Sequence, residues 1–222
     1  MARVLTNPTF EEWLRHLFDH PVTNPAWYWE EDLDAAELAP QQVVAYATRL
    51  FEAAGELLAP YSDAQANDGL WFLIGECTSP LYALSDPAVP LAERLRCIHA
   101  ISTVFEQCFV PRCTPHLRHL DEDGAGALNG VCYMWWDIFP VGGVTQEAAP
   151  REIASAFLAV MEETLQLPSL ACQESALHGL GHWARYNKGR CQSIISAFLL
   201  HHERLRPELR EYAARASENH VL

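Results

Sequence analysis

Residues 167–199 read LPSLACQESALHGLGHWARYNKGRCQSIISAFL and carry the clearest helical pattern of the chain. Its apolar residues recur at steps of three and four, which is the spacing of one face of an α-helix and not the alternation of a β-strand. Pro168 precedes the stretch and Pro207 follows it, and prolines at such places commonly start or stop helices. The stretch is therefore predicted to form two helices, the first with Gly179 near its middle.

The same pair of patterns recurs along the chain. Four amphipathic segments each end at a proline, and they span 41–60, 91–111, 151–168 and 191–207. After each of the first three prolines comes a helix with a glycine near its middle, at Gly69, Gly130 or Gly179. A glycine inside a helix costs about 1 kcal/mol relative to alanine, so three at corresponding places favour close helix packing. Because alternating β-branched runs do not occur, the chain is predicted to be all-α.

This two-helix pattern resembles the HEAT/armadillo-like α-solenoid repeats, most clearly in the run ALHGLGHWA at 176–184. The central glycines lie 61 and 49 residues apart, somewhat more than the repeat length of about 40–47 residues. The resemblance covers Pro40 to Arg215. It implies one all-α domain over residues 1–222, with an N-terminal cap at 1–38. A short right-handed α-solenoid of about four helical hairpins would then occupy 39–222.

Acidic residues outnumber basic residues in this chain, and this imbalance bears on the kind of partner that it could bind. The chain has 222 residues with 15 Lys+Arg against 29 Asp+Glu, a formal net charge of −14. No basic run could follow a phosphate backbone, so nucleic-acid binding is not expected. An acidic surface suits a basic protein partner, although it also serves simply to keep a protein soluble.

No stretch approaches the roughly 20 apolar residues of a membrane span, and no secretory signal is evident, so no membrane contact and a cytoplasmic location are predicted.

Seven cysteines are spread along a chain that is too long to need disulfides, and most are predicted to be buried free thiols. Cys108, Cys113, His116 and His119 fall within twelve residues, which is dense enough to consider zinc. Their spacing does not match a zinc finger. A buried Cys108 thiol is the simpler interpretation.

One face of the three glycine-bearing helices collects polar and aromatic residues. These positions are Asp68, Phe72, Glu76, Asn129, Tyr133, Asp137, His178, His182 and Tyr186. In HEAT-like arrays the second helices line the concave face, so the resemblance implies a continuous surface that binds a partner. Aromatic rings beside polar groups are typical of binding surfaces. The alternative is that Phe72 and Tyr133 are buried by neighbouring helices.

The segment AWYWEEDLDAAE at 26–37 is the most acidic and aromatic part of the chain. Its residues Trp29, Glu30 and Glu31 are predicted to extend the partner-binding surface, with rings supplying contact area and carboxylates steering a basic partner. The alternative is that the rings cap the end of the core while the acids face water.

His178 and His182 are spaced i, i+4, which places two imidazoles on one helical face as in zinc sites of the HExxH type. The sequence HGLGH lacks the glutamate of that motif, so a metalloprotease is excluded. A metal would need a third ligand from elsewhere, and without one, polar packing is the simpler interpretation. Neither a GxSxG motif nor a phosphate-binding glycine loop is present, so no catalytic residue, metal ligand or cofactor is assigned.

These patterns predict a non-enzymatic protein-binding module that grips a basic protein partner through its concave helix face and its acidic surface. A bacterial immunity or antitoxin-type inhibitor of a basic toxin would fit this description. The alternative is a metal-dependent enzyme or a small-molecule-binding helical protein that uses the groove around His178 and His182. The oligomeric state does not follow from the sequence.

Overall fold

The computed structural model describes residues 4–29, 35–75, 79–140, 151–202 and 204–221. Its architecture is helical, which confirms the all-α prediction. The described helices are α1 (Phe10–Phe18), α2 (Pro40–Glu52), α3 (Ala54–Leu57), α4 (Asp63–Ile74), α5 (Leu91–Val104), α6 (Val110–Arg112), α7 (Ala127–Ile138), α8 (Arg151–Thr164), α9 (Leu170–His201) and α10 (Pro207–Ser217). None of them is both long and apolar enough to cross a bilayer.

Two short strands accompany the helices. β1 (Val4–Thr6) pairs in parallel with β2 (Ala35–Glu37), with Val4 opposite Ala35. At three residues each they are too short to show the alternating pattern by which strands are predicted. Short 3₁₀ helices lie at Trp27–Trp29, Pro80–Ser85 and Arg118–Leu120, and a π-helical turn at Phe105–Phe109 continues α5.

Polar side chains at two helix starts explain why those helices begin where they do. Thr9 accepts a hydrogen bond from the Glu12 backbone N–H at 3.3 Å, and the Glu12 carboxylate accepts one from the Thr9 N–H at 2.9 Å. Ser62 and Gln65 form the same reciprocal arrangement ahead of α4. Each pair satisfies backbone N–H groups that the first turn of a helix leaves without a partner.

The longer helices contact one another in two series. In the first, α2 packs on α5 and α5 packs on α8. In the second, α4 packs on α7 and α7 packs on α9, while α1 lies against α4 and α10 lies along α9. The first three segments predicted to end at prolines supply the first series, and the glycine-bearing segments supply the second. The fourth proline-ended segment forms the last part of α9.

Two of the three central glycines allow a close approach between helices. A Cβ on Gly179 would lie 2.5 Å from the Cβ of Trp136, so α9 could not approach α7 as closely with a larger residue. A Cβ on Gly69 would lie 2.3 Å from the ring of Phe18 in α1. The prediction of close packing is wrong for Gly130, where the nearest atom would be Asn67 Oδ1 at 3.9 Å.

The long α9 contains both helices predicted for the region 167–199. Asn187 interrupts it with a non-helical backbone, at φ −131° and ψ 37°. The break falls at the boundary between the two helices that the sequence pattern predicts. The part of α9 before Asn187 carries His178 and His182 against α7. Pro207 does not end the second part, because α9 stops at His201 and Pro207 instead lies in the first turn of α10.

Candidate metal-binding site

Three potential metal ligands meet where α7 packs on α9. Asp137 lies in the last turn of α7, and His178 and His182 lie on successive turns of α9. One ligand atom of each side chain lies within 4.8 Å of those of the other two. In the part of the chain that the structure describes, this is the one group of three or more His, Cys, Asp or Glu side chains that converges in this way.

His178 forms the buried side of this site. Its Nδ1 lies 2.6 Å from the hydroxyl of Tyr212, which in turn lies 3.1 Å from the hydroxyl of Tyr133. Its Nε2 is buried and has no hydrogen-bond partner among the described residues. Burial, together with the nearby His182 and His119, lowers the pKa of His178 to about 3. The imidazole is therefore neutral near pH 7, which is the form that binds metals.

His182 and Asp137 form the more exposed side. Their side chains are 36% and 34% exposed, and Nδ1 of His182 lies 3.5 Å from Oδ1 of Asp137. That distance is long for a hydrogen bond, so the two groups are close without being firmly bonded. The rings of His178 and His182 lie 4.6 Å apart, and Nε2 of His182 is also buried without a partner among the described residues.

The buried carboxylate of Glu174 holds residues that pack behind His178. Glu174, which is fully buried on α9, accepts hydrogen bonds from the backbone N–H groups of Arg118 and His119, each at 2.9 Å. Nδ1 of His119 lies 2.6 Å from the same carboxylate, and the His119 ring stacks on Tyr212 at 4.0 Å. Glu174 therefore fixes the 118–120 turn, and the turn holds Tyr212 beside His178.

The spacing of the three ligands suits a small metal ion. Ligand atoms bound tetrahedrally at about 2.0–2.1 Å from zinc lie roughly 3.3 Å apart. The three candidate atoms, within 4.8 Å of one another, would need to close by no more than about 1.5 Å. Small side-chain rotations supply movements of that size. Two imidazoles and a carboxylate are ligands that Zn²⁺ and Fe²⁺ both accept.

Other buried nitrogen atoms lack partners without suggesting a metal. The indole nitrogens of Trp135, Trp136 and Trp183 are buried and have no hydrogen-bond partner among the described residues. An indole N–H only donates and has no lone pair to offer a cation. His178 and His182 differ because an imidazole in its neutral form carries a lone pair, and the two rings lie together beside a carboxylate.

The structure places the predicted partner-binding residues in different environments. Phe72 and Tyr133 are buried, as the alternative interpretation of the sequence expected, and Asp68 is half-buried. Asn129 is fully buried, where it bonds to Thr114 and to the backbone of His116. No contact of a partner with these positions is tested, and their use by a partner stays a prediction.

The exposed members of the predicted surface are Tyr186 at 41% and Trp29 at 68%. Glu76, Glu30 and Glu31 lie outside the described residues. The acidic edge at 26–37 is therefore described only in part.

The cysteine-rich segment does not assemble into a second metal site among the described residues. The Cys108 thiol is buried, as the simpler interpretation expected, and burial raises its pKa to about 11. His116 bonds to the hydroxyl of Thr114 at 2.8 Å, and His119 is engaged by Glu174. The cysteines that the structure describes are all free, and of these only Cys113 is not fully buried.

Sequence reasoning placed Asp137 on the same predicted face as the two histidines, but assigned all three to a protein partner. The missing step was the register between α7 and α9, which brings the end of one helix beside the middle of the other. Tyr212 was missed altogether, because α10 follows the last predicted helix and carries no motif.

Searches against protein-family models, curated proteins and solved structures each found no match for this chain.

Proposed function

We propose that this protein is a metal-dependent helical protein that binds a divalent transition-metal ion through Asp137, His178 and His182. The observation that carries the proposal is the convergence of the three ligand atoms within 4.8 Å across the α7–α9 contact. The two histidines alone would be compatible with polar packing. The carboxylate supplied by a different helix completes the minimum ligand set of a protein metal site.

The protonation and bonding of the histidines support the same proposal. An unsatisfied buried polar atom costs about 1–3 kcal/mol, and two such atoms on rings 4.6 Å apart call for an explanation. A bound cation would satisfy both imidazole lone pairs at once. The low pKa of His178 adds that no proton competes for its lone pair at neutral pH.

Zinc titration of the purified protein against a chromophoric chelator tests this function. The wild-type chain should bind one Zn²⁺, and His182→Ala should lose most of that affinity because it removes one of three ligands. His99→Ala is the matched control, since His99 is exposed on α5 and belongs to no ligand group. Equal zinc binding by wild type and His182→Ala would show that the metal, if bound, is held elsewhere.

The helix contacts also support a proposed architecture. The successive contacts α2–α5–α8 and α4–α7–α9 would fit two parallel layers of helices, as in a short HEAT-like α-solenoid. In this arrangement α1, which packs on α4, would serve as part of the N-terminal cap. The metal site would then lie within the inner layer, between two neighbouring repeats.

A second candidate function is the binding of a basic protein in the cytoplasm, of the kind expected for a bacterial immunity or antitoxin-type inhibitor. The net charge of −14 favours it. Several of the positive charges lie within 4.0 Å of a carboxylate, which reduces the positive charge that the surface can offer. These arginines are Arg49, Arg96, Arg112, Arg118, Arg190 and Arg206. Exposed Trp29 and Tyr186 would supply aromatic contact area.

Capture of partners from native lysate at low and high salt tests this second function. A basic partner should be retained at low salt and lost as the ionic strength rises, because screening weakens the attraction between exposed charges. A partner held equally at both ionic strengths would remove charge from the explanation. Tyr186→Ala should weaken retention, whereas Leu200→Ala, an exposed apolar residue later on α9, should not.

A further inference from the structure

Helix α10 places one side chain directly behind a proposed metal ligand. Its apolar residues Leu209, Ala213 and Ala216 are buried along α9. Tyr212, from the same face, is also buried and reaches Nδ1 of His178 at 2.6 Å. The hydroxyl of Tyr212 is the one hydrogen-bond partner of the His178 ring among the described residues.

The tautomer of His178 depends on this contact. A histidine that binds a metal through Nε2 must carry its proton on Nδ1, where it donates a hydrogen bond to a second group. If the Tyr212 oxygen accepts that bond, its own O–H can donate to the oxygen of Tyr133 at 3.1 Å. The opposite tautomer would bury an Nε2–H that has no acceptor among the described residues.

The Tyr212 ring is held firmly enough to set this direction. His119 stacks on one side of it with ring centres 4.0 Å apart, and His119 is itself bonded to the fully buried Glu174. Tyr212 therefore has little freedom to turn its hydroxyl away from His178. The donor and acceptor order in the chain from His178 to Tyr133 is then set by Nε2 of His178, which has no acceptor among the described residues and so leaves the proton on Nδ1.

We propose that Tyr212 is the positioning residue of the metal site: its hydroxyl accepts a hydrogen bond from Nδ1–H of His178 and so directs the Nε2 lone pair at the metal. This role rests on the proposed function. It makes metal affinity depend on Tyr212, which lies in a helix to which the sequence assigned no role. Groups that orient a metal-binding histidine in this way typically change affinity by about 10–100-fold when they are removed.

The test compares Tyr212→Phe with Tyr46→Phe. The first change keeps the ring that stacks on His119 and removes only the hydroxyl. The second removes a hydroxyl that donates to the backbone oxygen of Pro8 at 3.1 Å, far from α9 in the chain. Zinc affinity should fall by about 10–100-fold in Tyr212→Phe and stay unchanged in Tyr46→Phe.

A second readout separates positioning from a general effect on packing. Long-range ¹H–¹⁵N spectra report which imidazole nitrogen carries the proton, and His178→Gln assigns the signals. His178 in the wild-type protein should carry its proton on Nδ1, whereas in Tyr212→Phe the two tautomers should mix. Should Tyr212→Phe fail to fold, Tyr133→Phe replaces it, with a smaller loss of affinity expected because only the outer bond of the chain is removed.

The possible failures are distinguishable. If wild type binds zinc and Tyr212→Phe binds it equally well, or keeps the same His178 tautomer, the positioning role is wrong and the metal site stands. If the wild-type protein binds no zinc, the proposed function and the positioning role fail together. Weakened zinc binding with an unchanged tautomer would also overturn the positioning role, because the loss would then come from packing.

Discussion

Replacing Gly179 by alanine should destabilise the protein, although the same change usually stabilises a helix. The added Cβ would lie 2.5–2.7 Å from Cβ, Cγ and Cδ1 of Trp136, a buried residue of α7. These atoms lie near the backbone, so a rotation of the indole cannot move all of them away. Overpacking of this kind costs about 1–3 kcal/mol, and we take the upper end because the two helices themselves must separate. The better helix propensity of alanine returns about 1 kcal/mol. The net expectation is a loss of about 2 kcal/mol in the free energy of unfolding.

Gly130→Ala is the matched control for this prediction. It lies at the corresponding place in α7, but its Cβ would meet only Asn67 Oδ1, at an ordinary 3.9 Å. That variant should therefore gain up to about 1 kcal/mol from helix propensity alone. Urea unfolding followed by circular dichroism measures both values, provided that the dependence on denaturant is unchanged. The reasoning about the α7–α9 contact is refuted if Gly179→Ala is as stable as wild type, or if both alanine variants change stability in the same direction.

Three further predictions concern the rest of the chain. Asn129→Ala should lower the free energy of unfolding by about 3 kcal/mol, because it leaves three partly buried backbone groups of Thr114 and His116 without this partner, and urea unfolding checks this. Arg206 holds the pKa of the Glu122 carboxyl down at about 2, so the pair should stabilise the fold above pH 4.5 and lose that contribution as the pH falls towards 2. Glu122→Gln should accordingly be less stable than wild type at pH 6 and equal to it near pH 2 in thermal melts. Cys113 should react with iodoacetamide before the other described cysteines, since burial raises the pKa of a thiol such as Cys97 to about 12, and peptide mass spectrometry after brief labelling would show the order.

The helices were predictable because their signal is local. In the region 167–199 the apolar spacing, the preceding proline and the central glycine all lie within one segment, and α9 forms there with its break at Asn187. The three-residue strands were not predictable, since their pairing joins Val4 to Ala35 across a gap in the sequence that no local pattern records. Buried Asn129 shows the same limit, because its polarity favours the surface and only the loop around Thr114 explains why it lies inside.

The metal site shows which part of function depends on tertiary contacts. Helical spacing alone brings His178 and His182 together, and this was read from the sequence. The position of Asp137 depends on the register of α7 against α9, and the position of Tyr212 depends on the later helix α10, which packs along α9. Neither displacement is encoded at a fixed sequence spacing, so the sequence placed Asp137 on the same predicted face as the two histidines without showing that its carboxylate meets them.

Anomalous diffraction at the zinc absorption edge, from crystals of the zinc-loaded protein, locates a bound ion without assuming its ligands. If Asp137, His178 and His182 bind one metal ion, the map should contain one strong peak at the α7–α9 contact, about 2.0–2.2 Å from one atom of each of the three side chains. A zinc peak ligated by other residues, or no peak at this contact in crystals that contain zinc, would contradict this assignment of the ligands.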